Sequence, residues 1–163
     1  MSTTVLLPGE DFFAVVGNGD ERDSRSVVIP VIRSAAGWAV TLEITLAPMS
    51  LGEGPAWEFY YSFVIVWPDE DRPAFVTQDR NIVARYVPRV FRQRILDLVC
   101  RSCRALIDDC RPELIYRVTK GRNLPGNALR KHHLITNVME RAGYSVVESG
   151  LDRMGRTLWI MRR

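Results

Sequence analysis

One long stretch of the chain repeats its apolar residues with the period of an α-helix. From Pro88 onwards the apolar positions recur at steps of one, three and four. Residues at this spacing share one face of a helix. Pro88 suits the first helical position, where its missing N–H is not needed, and Pro112 ends the pattern. The apolar face is formed by Phe91, Ile95, Leu98, Val99, Cys103, Leu106, Ile107 and Cys110.

A second, shorter helical pattern follows along the chain. The short apolar run from Leu114 to Val118 predicts a strand before it, and the helix runs from about Pro125 to Ala142. Gly143 is expected to end this helix in the left-handed conformation that glycine adopts readily. Two final strands, Tyr144 to Glu148 and Thr157 to Arg162, are predicted to form a closing hairpin.

The N-terminal half has the period of β-strands. Trp38 to Ala47 alternates strictly between apolar and other residues, which predicts a half-buried strand. It is expected to pair with Val27 to Arg33, in which Pro30 predicts an edge position or a bulge because proline cannot donate to a ladder. Trp57 to Trp67 is apolar on both faces, which is typical of a central strand covered on both sides.

Three more segments complete the expected architecture. We predict a strand at Phe12 to Val16, a loop at Pro48 to Pro55 and an extended segment at Phe75 to Ala84. The whole pattern predicts an α+β fold. Its antiparallel or mixed central sheet has about six to eight strands, with two main helices packed on it. A chain of this length favours one domain over residues 1–163.

The composition narrows the class of protein. The hydrophobic fraction of 47% and the charged fraction of 25% are those of a folded globular chain. The N-terminus lacks the basic start and long apolar run of a secretory signal, and we find no apolar segment long enough to span a bilayer. The three cysteines are an odd count, which favours reduced thiols over a disulfide framework. We therefore expect a cytoplasmic protein.

Charge is distributed unevenly along the chain. Residues 1–82 hold 5 basic and 12 acidic side chains, whereas residues 83–163 hold 17 basic and 7 acidic ones. Fifteen of those 17 are arginines. The asymmetry indicates either a surface for an acidic partner, or two halves that neutralise each other within one domain.

The segment before the second helix gathers several of these basic residues. Lys120 and Arg122 lie just before the positive end of the helix, where backbone N–H groups face outward, and that combination suits an anion such as phosphate. An ordinary solvated loop is the alternative interpretation. Tyr116 is the one aromatic residue nearby, which gives limited support to binding of single-stranded nucleic acid. The candidate anion-binding or partner-binding residues are Arg117, Lys120, Arg122, Arg130 and Lys131.

Few residues are candidates for catalysis or metal binding. His132 and His133 are the only histidines, and either has the side chain of a general acid or base. No nucleophile or orienting carboxylate stands at a recognisable spacing from them. Cys100 and Cys103 have the spacing of a metal or redox pair, but they lie within the first helix, where packing explains them. We assign no metal site.

The C-terminal half resembles the second half of the GNAT acyltransferase fold. Over about residues 86–163 the order is long helix, strand, helix and closing hairpin. Asn127-Ala128, Met139 to Tyr144 and Trp159 to Arg162 are similar to the family's motifs. The layout is also similar to small uncharacterised proteins of phage and mobile-element type. The resemblance implies an acyltransferase that uses acetyl-coenzyme A.

The chain departs from that family at the coenzyme site. The family binds the coenzyme A pyrophosphate on a glycine-rich turn that opens the long helix, because glycine lets the backbone approach the phosphates closely. Here Arg85 to Arg94 contains no glycine, and Pro88 removes one N–H donor.

We therefore predict a non-catalytic binding or adaptor domain without a cofactor. Its Arg-rich C-terminal face would bind an acidic protein or another polyanion. A divergent N-acyltransferase that uses acetyl-coenzyme A and a nucleic-acid-binding protein are the alternatives.

Overall fold

The computed structural model describes residues 3–5, 15–17, 24–51, 54–68 and 74–163. A turn of 3-10 helix at Arg89–Phe91 precedes the long helix. The strands and helices, in chain order, are β1 (Thr3–Val5), β2 (Val15–Gly17), β3 (Arg25–Ser34), β4 (Ala39–Leu51), β5 (Gly54–Val66), β6 (Phe75–Thr77), α1 (Arg80–Tyr86), α2 (Arg92–Cys110), β7 (Leu114–Arg122), α3 (Gly126–Arg141), β8 (Ser145–Leu151) and β9 (Arg156–Arg162).

Within the described ranges, nine strands form one mixed sheet. The strand order is β1-β3-β4-β5-β7-β9-β8, with β2 also paired to β3 and β6 to β5. The pairing of β5 with β7 is parallel, and the others are antiparallel. These observations confirm the predicted α+β class and the central position of β5. The order α2, β7, α3, β8, β9 is the layout that the resemblance implies.

The core lies between one face of the sheet and the helices α2 and α3. The alternation predicted for β4 is confirmed, since Leu42 and Ile44 are completely buried and lie opposite Phe63 and Tyr61 of β5. The other face of β5 was expected to be covered as well. There Val66 is 43% exposed, so this end of the strand faces solvent on that side.

The extended segment predicted at Phe75 to Ala84 is partly wrong. After β6 the chain forms α1, because the Asp79 carboxylate accepts hydrogen bonds from the N–H groups of Asn81 (2.7 Å) and Ile82 (3.4 Å). Such a cap satisfies N–H groups that the first helical turn leaves free. Tyr86, in the last turn, packs edge-on against the ring of Trp38, with centroids 5.3 Å apart.

The loop predicted at Pro48 to Pro55 is also wrong. The strands β4 and β5 continue in register, with Pro48 opposite Trp57 and Ser50 opposite Pro55. The φ angle that proline imposes is compatible with extended backbone, so the prolines do not end this ribbon. Of the strand predicted at Phe12 to Val16, residues 12–14 lie outside the described part, and β2 begins at Val15.

Several local predictions are confirmed. The pairing of β3 with β4 shifts register between Pro30 and Ile32, which is the expected bulge. Gly143 has φ +94° at the end of α3.

The long helix begins later than predicted, at Arg92, because Pro88 has an extended ψ of 144° and caps the 3-10 turn instead. None of the described helices combines the length and the apolar character needed to cross a membrane.

Two glycines give a matched test of the backbone at the end of α3. A Cβ added at Gly143 or at Gly126 would meet nothing within 4 Å, so the two sites differ in backbone conformation and not in space. We expect Gly143→Ala to lower the free energy of unfolding by about 1–2 kcal/mol, because its left-handed backbone disfavours a Cβ. Gly126→Ala should leave the stability unchanged or raise it slightly. Urea unfolding of both variants measures the difference, and equal stabilities would contradict the expectation.

Candidate functional site

Arg117 of the predicted anion-binding set lies inside the protein. It points to the helix-covered face of β7 and is only 3% exposed. Its guanidinium carbon lies 5.8 Å from the ring centroid of Phe59 on β5 and 5.4 Å from that of Trp159 on β9. The cation is therefore held between two aromatic rings on the neighbouring strands, an arrangement that attracts it electrostatically.

The same guanidinium also bonds to α3. Nη1 of Arg117 donates to the Thr136 hydroxyl at 2.9 Å and to the His132 carbonyl at 3.4 Å, and the Thr136 hydroxyl itself donates to that carbonyl at 3.1 Å. No carboxylate of the described residues forms an ion pair with Arg117. Burial lowers the pKa of Arg117 to about 10. The protein thus keeps a buried cation with hydrogen bonds and rings in place of a counter-ion.

A second cation reaches the same part of β5. The strands β5 and β7 pair at two positions, Trp57 with Ile115 and Glu58 with Tyr116. Beyond them, Nζ of Lys131 on α3 lies 5.8 Å from the Tyr61 ring centroid. Arg117 and Lys131 therefore connect β7 and α3 to aromatic residues of β5 where the strand pairing has ended.

The two histidines both lie against Trp159. The His132 ring is stacked on the indole with centroids 5.7 Å apart, and the His133 ring meets it edge-on at 6.1 Å. Burial lowers the pKa of His132 to about 3, with further lowering by the positive charges of Lys131 and Arg117. A group with this pKa is neutral near pH 7 and poorly matched to acid–base catalysis there.

The four other predicted basic residues lie on the surface. Lys120, Arg122, Arg130 and Lys131 are exposed, and none of them forms an ion pair with a residue that the structure describes. Arg122 lies directly opposite Arg156 in the pairing of β7 with β9. Facing like charges are destabilising unless one of them is neutralised.

The neighbouring hairpin turn neutralises one of these arginines. The Asp152 carboxylate accepts from Nε of Arg156 at 2.7 Å, and Arg122 then has no ion pair with any residue in the described ranges. The backbone N–H of Asn123 donates to the Gly155 carbonyl at 2.7 Å. This bond ties the segment before α3 to the turn between β8 and β9, so the exposed cations of the segment are held on a fixed frame.

The beginning of α3 adds positive potential to the same region. Pro125 caps the helix without a side-chain hydrogen bond, and the first turn contains no acidic residue. The uncompensated N–H groups carry the positive end of the helix dipole. Lys120 and Arg122 precede this end, as predicted. We name the exposed Lys120, Arg122, Arg130 and Lys131 the basic end of the domain.

Two of the cysteines of α2, Cys100 and Cys103, lie near Arg117. Cys103 is completely buried and Cys100 partly so. Burial raises the pKa of Cys103 to about 12, and a thiol that stays protonated is a poor nucleophile and a poor metal ligand. The described residues contain no group of three or more side chains that is suited to hold a metal ion.

Glu58 has a shifted pKa and is not among the residues that the sequence singles out. Glu58 is partly buried on β5, and this burial raises its pKa, while the charge of Arg156 acts in the opposite direction. Its signal in the sequence is a lone acidic residue within the apolar run from Trp57 to Trp67. The position of Trp159 between Arg117 and the histidines gives no such signal, since it depends on the pairing of β7 with β9.

Comparison with known proteins gives one similarity in structure. No family model matches the sequence, and no curated protein matches it. A solved chimeric spermidine N-acetyltransferase, from Vibrio cholerae SpeG and hSSAT, superimposes with a TM-score of 0.36 at 11% sequence identity. The aligned part covers 85% of this chain and 65% of that chain. These values describe a partial likeness in fold.

The low pKa of His132 predicts a specific loss of stability in mild acid. The unfolded chain binds a proton on this imidazole below about pH 6.5, whereas the folded chain stays neutral to about pH 3. Stability therefore falls as the pH is lowered, by about 2 kcal/mol between pH 7 and pH 5. We expect His132→Phe, which preserves a ring against Trp159, to abolish most of this loss.

His133→Phe is the matched control, because His133 is exposed on the same helix. Urea unfolding at pH 7, 6 and 5 measures the free energy of unfolding of the unchanged protein and of the two variants. The assignment fails if His132→Phe loses as much stability between pH 7 and pH 5 as the unchanged protein does.

Proposed function

We propose that this protein is a non-catalytic binding domain that recognises an acidic protein through its basic end. One observation carries the proposal: the four exposed cations of the basic end have no ion pair with any described residue. Oriented surface charge of one sign raises the rate and the specificity of association with a partner of the opposite sign.

Among the residues that the structure describes, internal neutralisation of the two halves does not account for these cations. Within the described ranges, Arg25 and Asp109 form an ion pair between the two halves at 3.6 Å, and its base comes from the acidic half and its acid from the basic half. Asp152, the acidic residue nearest in the paired hairpin, is already bonded to Arg156. As far as the described part of the chain goes, the charge of the basic end is thus left for a partner.

The geometry at the long helix supports binding over acyl transfer. Where the resemblance implies a glycine-rich turn, the chain has Pro88 and a 3-10 turn. The strand β6 also pairs with β5 at residues 63–65, which lie beyond the last residue of β5 that pairs with β7, Glu58. A backbone segment of the protein itself therefore occupies this part of β5, which leaves less of the strand for an extended coenzyme.

An acidic protein fits the basic end better than a single-stranded nucleic acid does. Nucleic acids of that kind are bound by aromatic side chains on which the bases stack. Trp159 is 4% exposed and stacked on His132, and the ring of Tyr61 is already in contact with the ammonium group of Lys131. Charge is then the main means of recognition at the basic end, and carboxylates satisfy it.

Charge reversal at the basic end tests the proposal. Fluorescence anisotropy with labelled polyglutamate, at low and moderate salt, measures the affinity. We expect Lys120→Glu/Arg122→Glu to weaken binding about tenfold or more, and the affinity of the unchanged protein to fall steeply with salt, because each contact is an exposed charge pair.

Arg85→Glu/Arg89→Glu, on α1 and the 3-10 turn, is the matched control with the same change in net charge, and both residues are exposed. Equal weakening by the two double variants would refute a localised site. A labelled single-stranded oligonucleotide that binds more tightly than polyglutamate would favour nucleic acid instead. A rise in melting temperature with acetyl-coenzyme A would restore the acyltransferase alternative.

A further inference from the structure

The strand β8 leaves one edge of the sheet open. It is the last strand in the order and, among the strands that the structure describes, pairs with β9 alone. All seven of its residues are exposed. At the opposite side of the sheet, the short strands β1 and β2 both pair with β3. The N–H and C=O groups along the outer side of β8 are therefore ready to bond to another extended chain.

The side chains of β8 suit an added strand. Val146, Val147 and Leu151 are 36%, 53% and 64% exposed. The strand carries no lysine, arginine or proline, which are the residues that commonly protect an open edge. Its protective features are the exposed charge of Glu148 and the shift of register between Val146 and Glu148, which leaves Val147 as the extra residue of a bulge.

Positive charge lies at both ends of this edge. Arg162 is opposite Ser145 at the beginning of β8, and Arg153 lies in the turn just after its end. Both arginines are exposed, and neither forms an ion pair with a described residue. Two copies that paired antiparallel along β8 would bring these arginines close to those of the partner copy. The charges therefore favour a strand of opposite charge over a second copy of this chain.

We infer that the acidic partner adds an extended strand to β8, with apolar residues alternating at its centre and carboxylates at its ends. The inference rests on the proposed function and specifies how the partner is held. Main-chain hydrogen bonds to β8 supply affinity, Val147 and Leu151 contact the apolar centre, and Arg153 and Arg162 pair with the terminal carboxylates. The basic end then attracts the rest of the partner.

The test uses a labelled probe peptide, Glu-Glu-Val-Thr-Val-Thr-Val-Glu-Glu, in anisotropy titrations with the full chain. A second peptide has proline at both threonines, which preserves the charges but prevents strand pairing. We expect the proline peptide to bind about tenfold more weakly than the first. Arg153→Glu/Arg162→Glu should weaken the binding of the first peptide by a similar factor. Val147→Asp should weaken that binding about fivefold, because an acidic residue at the edge repels the probe.

Arg85→Glu/Arg89→Glu again serves as the control and should change the affinity less than twofold. Equal affinities for the two peptides would overturn strand addition, and so would a double variant at Arg153 and Arg162 that binds normally. A concentration-dependent dimer in sedimentation that Val147→Asp dissociates would also overturn it, because a second copy would then occupy the edge. Circular dichroism checks that each variant is folded.

The polyglutamate titration separates this inference from the proposed function. If polyglutamate binds through Lys120 and Arg122 while the two peptides bind equally, the proposal of an acidic partner is supported and strand addition is refuted. If polyglutamate does not bind at low salt, the proposed function itself fails. Any binding of the probe peptide to β8 would then be independent of an acidic protein at the basic end.

Discussion

The rest of the structure depends on how the charge of Arg117 is kept inside the core. Burial of an unpaired cation costs several kcal/mol unless other groups replace its water. Here the replacement comes from three elements at once: Phe59 of β5, Trp159 of β9, and the Thr136 hydroxyl with the His132 carbonyl of α3. The position of α3 over the sheet is therefore coupled to a single side chain.

That buried charge also determines what its neighbours are able to do. His132 stays neutral because it is buried beside Arg117 and Lys131, so it packs on Trp159 as a ring and carries no positive charge near pH 7. Lys131 directs its ammonium group towards the ring of Tyr61. The interior at this end of the molecule is positive, and it adds to the field of the exposed Lys120 and Arg122 instead of opposing it.

The sequence predicted what local pattern determines and failed where distant contacts decide. The stripe of α2 and the glycine cap at Gly143 are fixed by residues a few positions apart, and both are confirmed. The helix α1 is too short to show a period, and its Asp79 cap was overlooked. Arg117 was assigned to a surface because arginine is usually exposed. It shares its strand face with the buried Ile115 and Thr119, so the alternation of β7 contained the signal, but its partners come from three other elements.

The two edges of the sheet differ, and stability alone does not explain the difference. An open edge with apolar residues and no lysine invites pairing with any extended chain, which natural proteins usually prevent. On β8 the bulge at Val147 and the flanking Arg153 and Arg162 restrict that pairing without blocking it. A basic strand would be repelled at both ends of β8, and a neutral strand would gain no charge contact there. An acidic strand gains a charge contact at both ends. Arg153 and Arg162 belong to the excess of basic residues in the C-terminal half of the sequence, and they thus select which strand pairs with this edge.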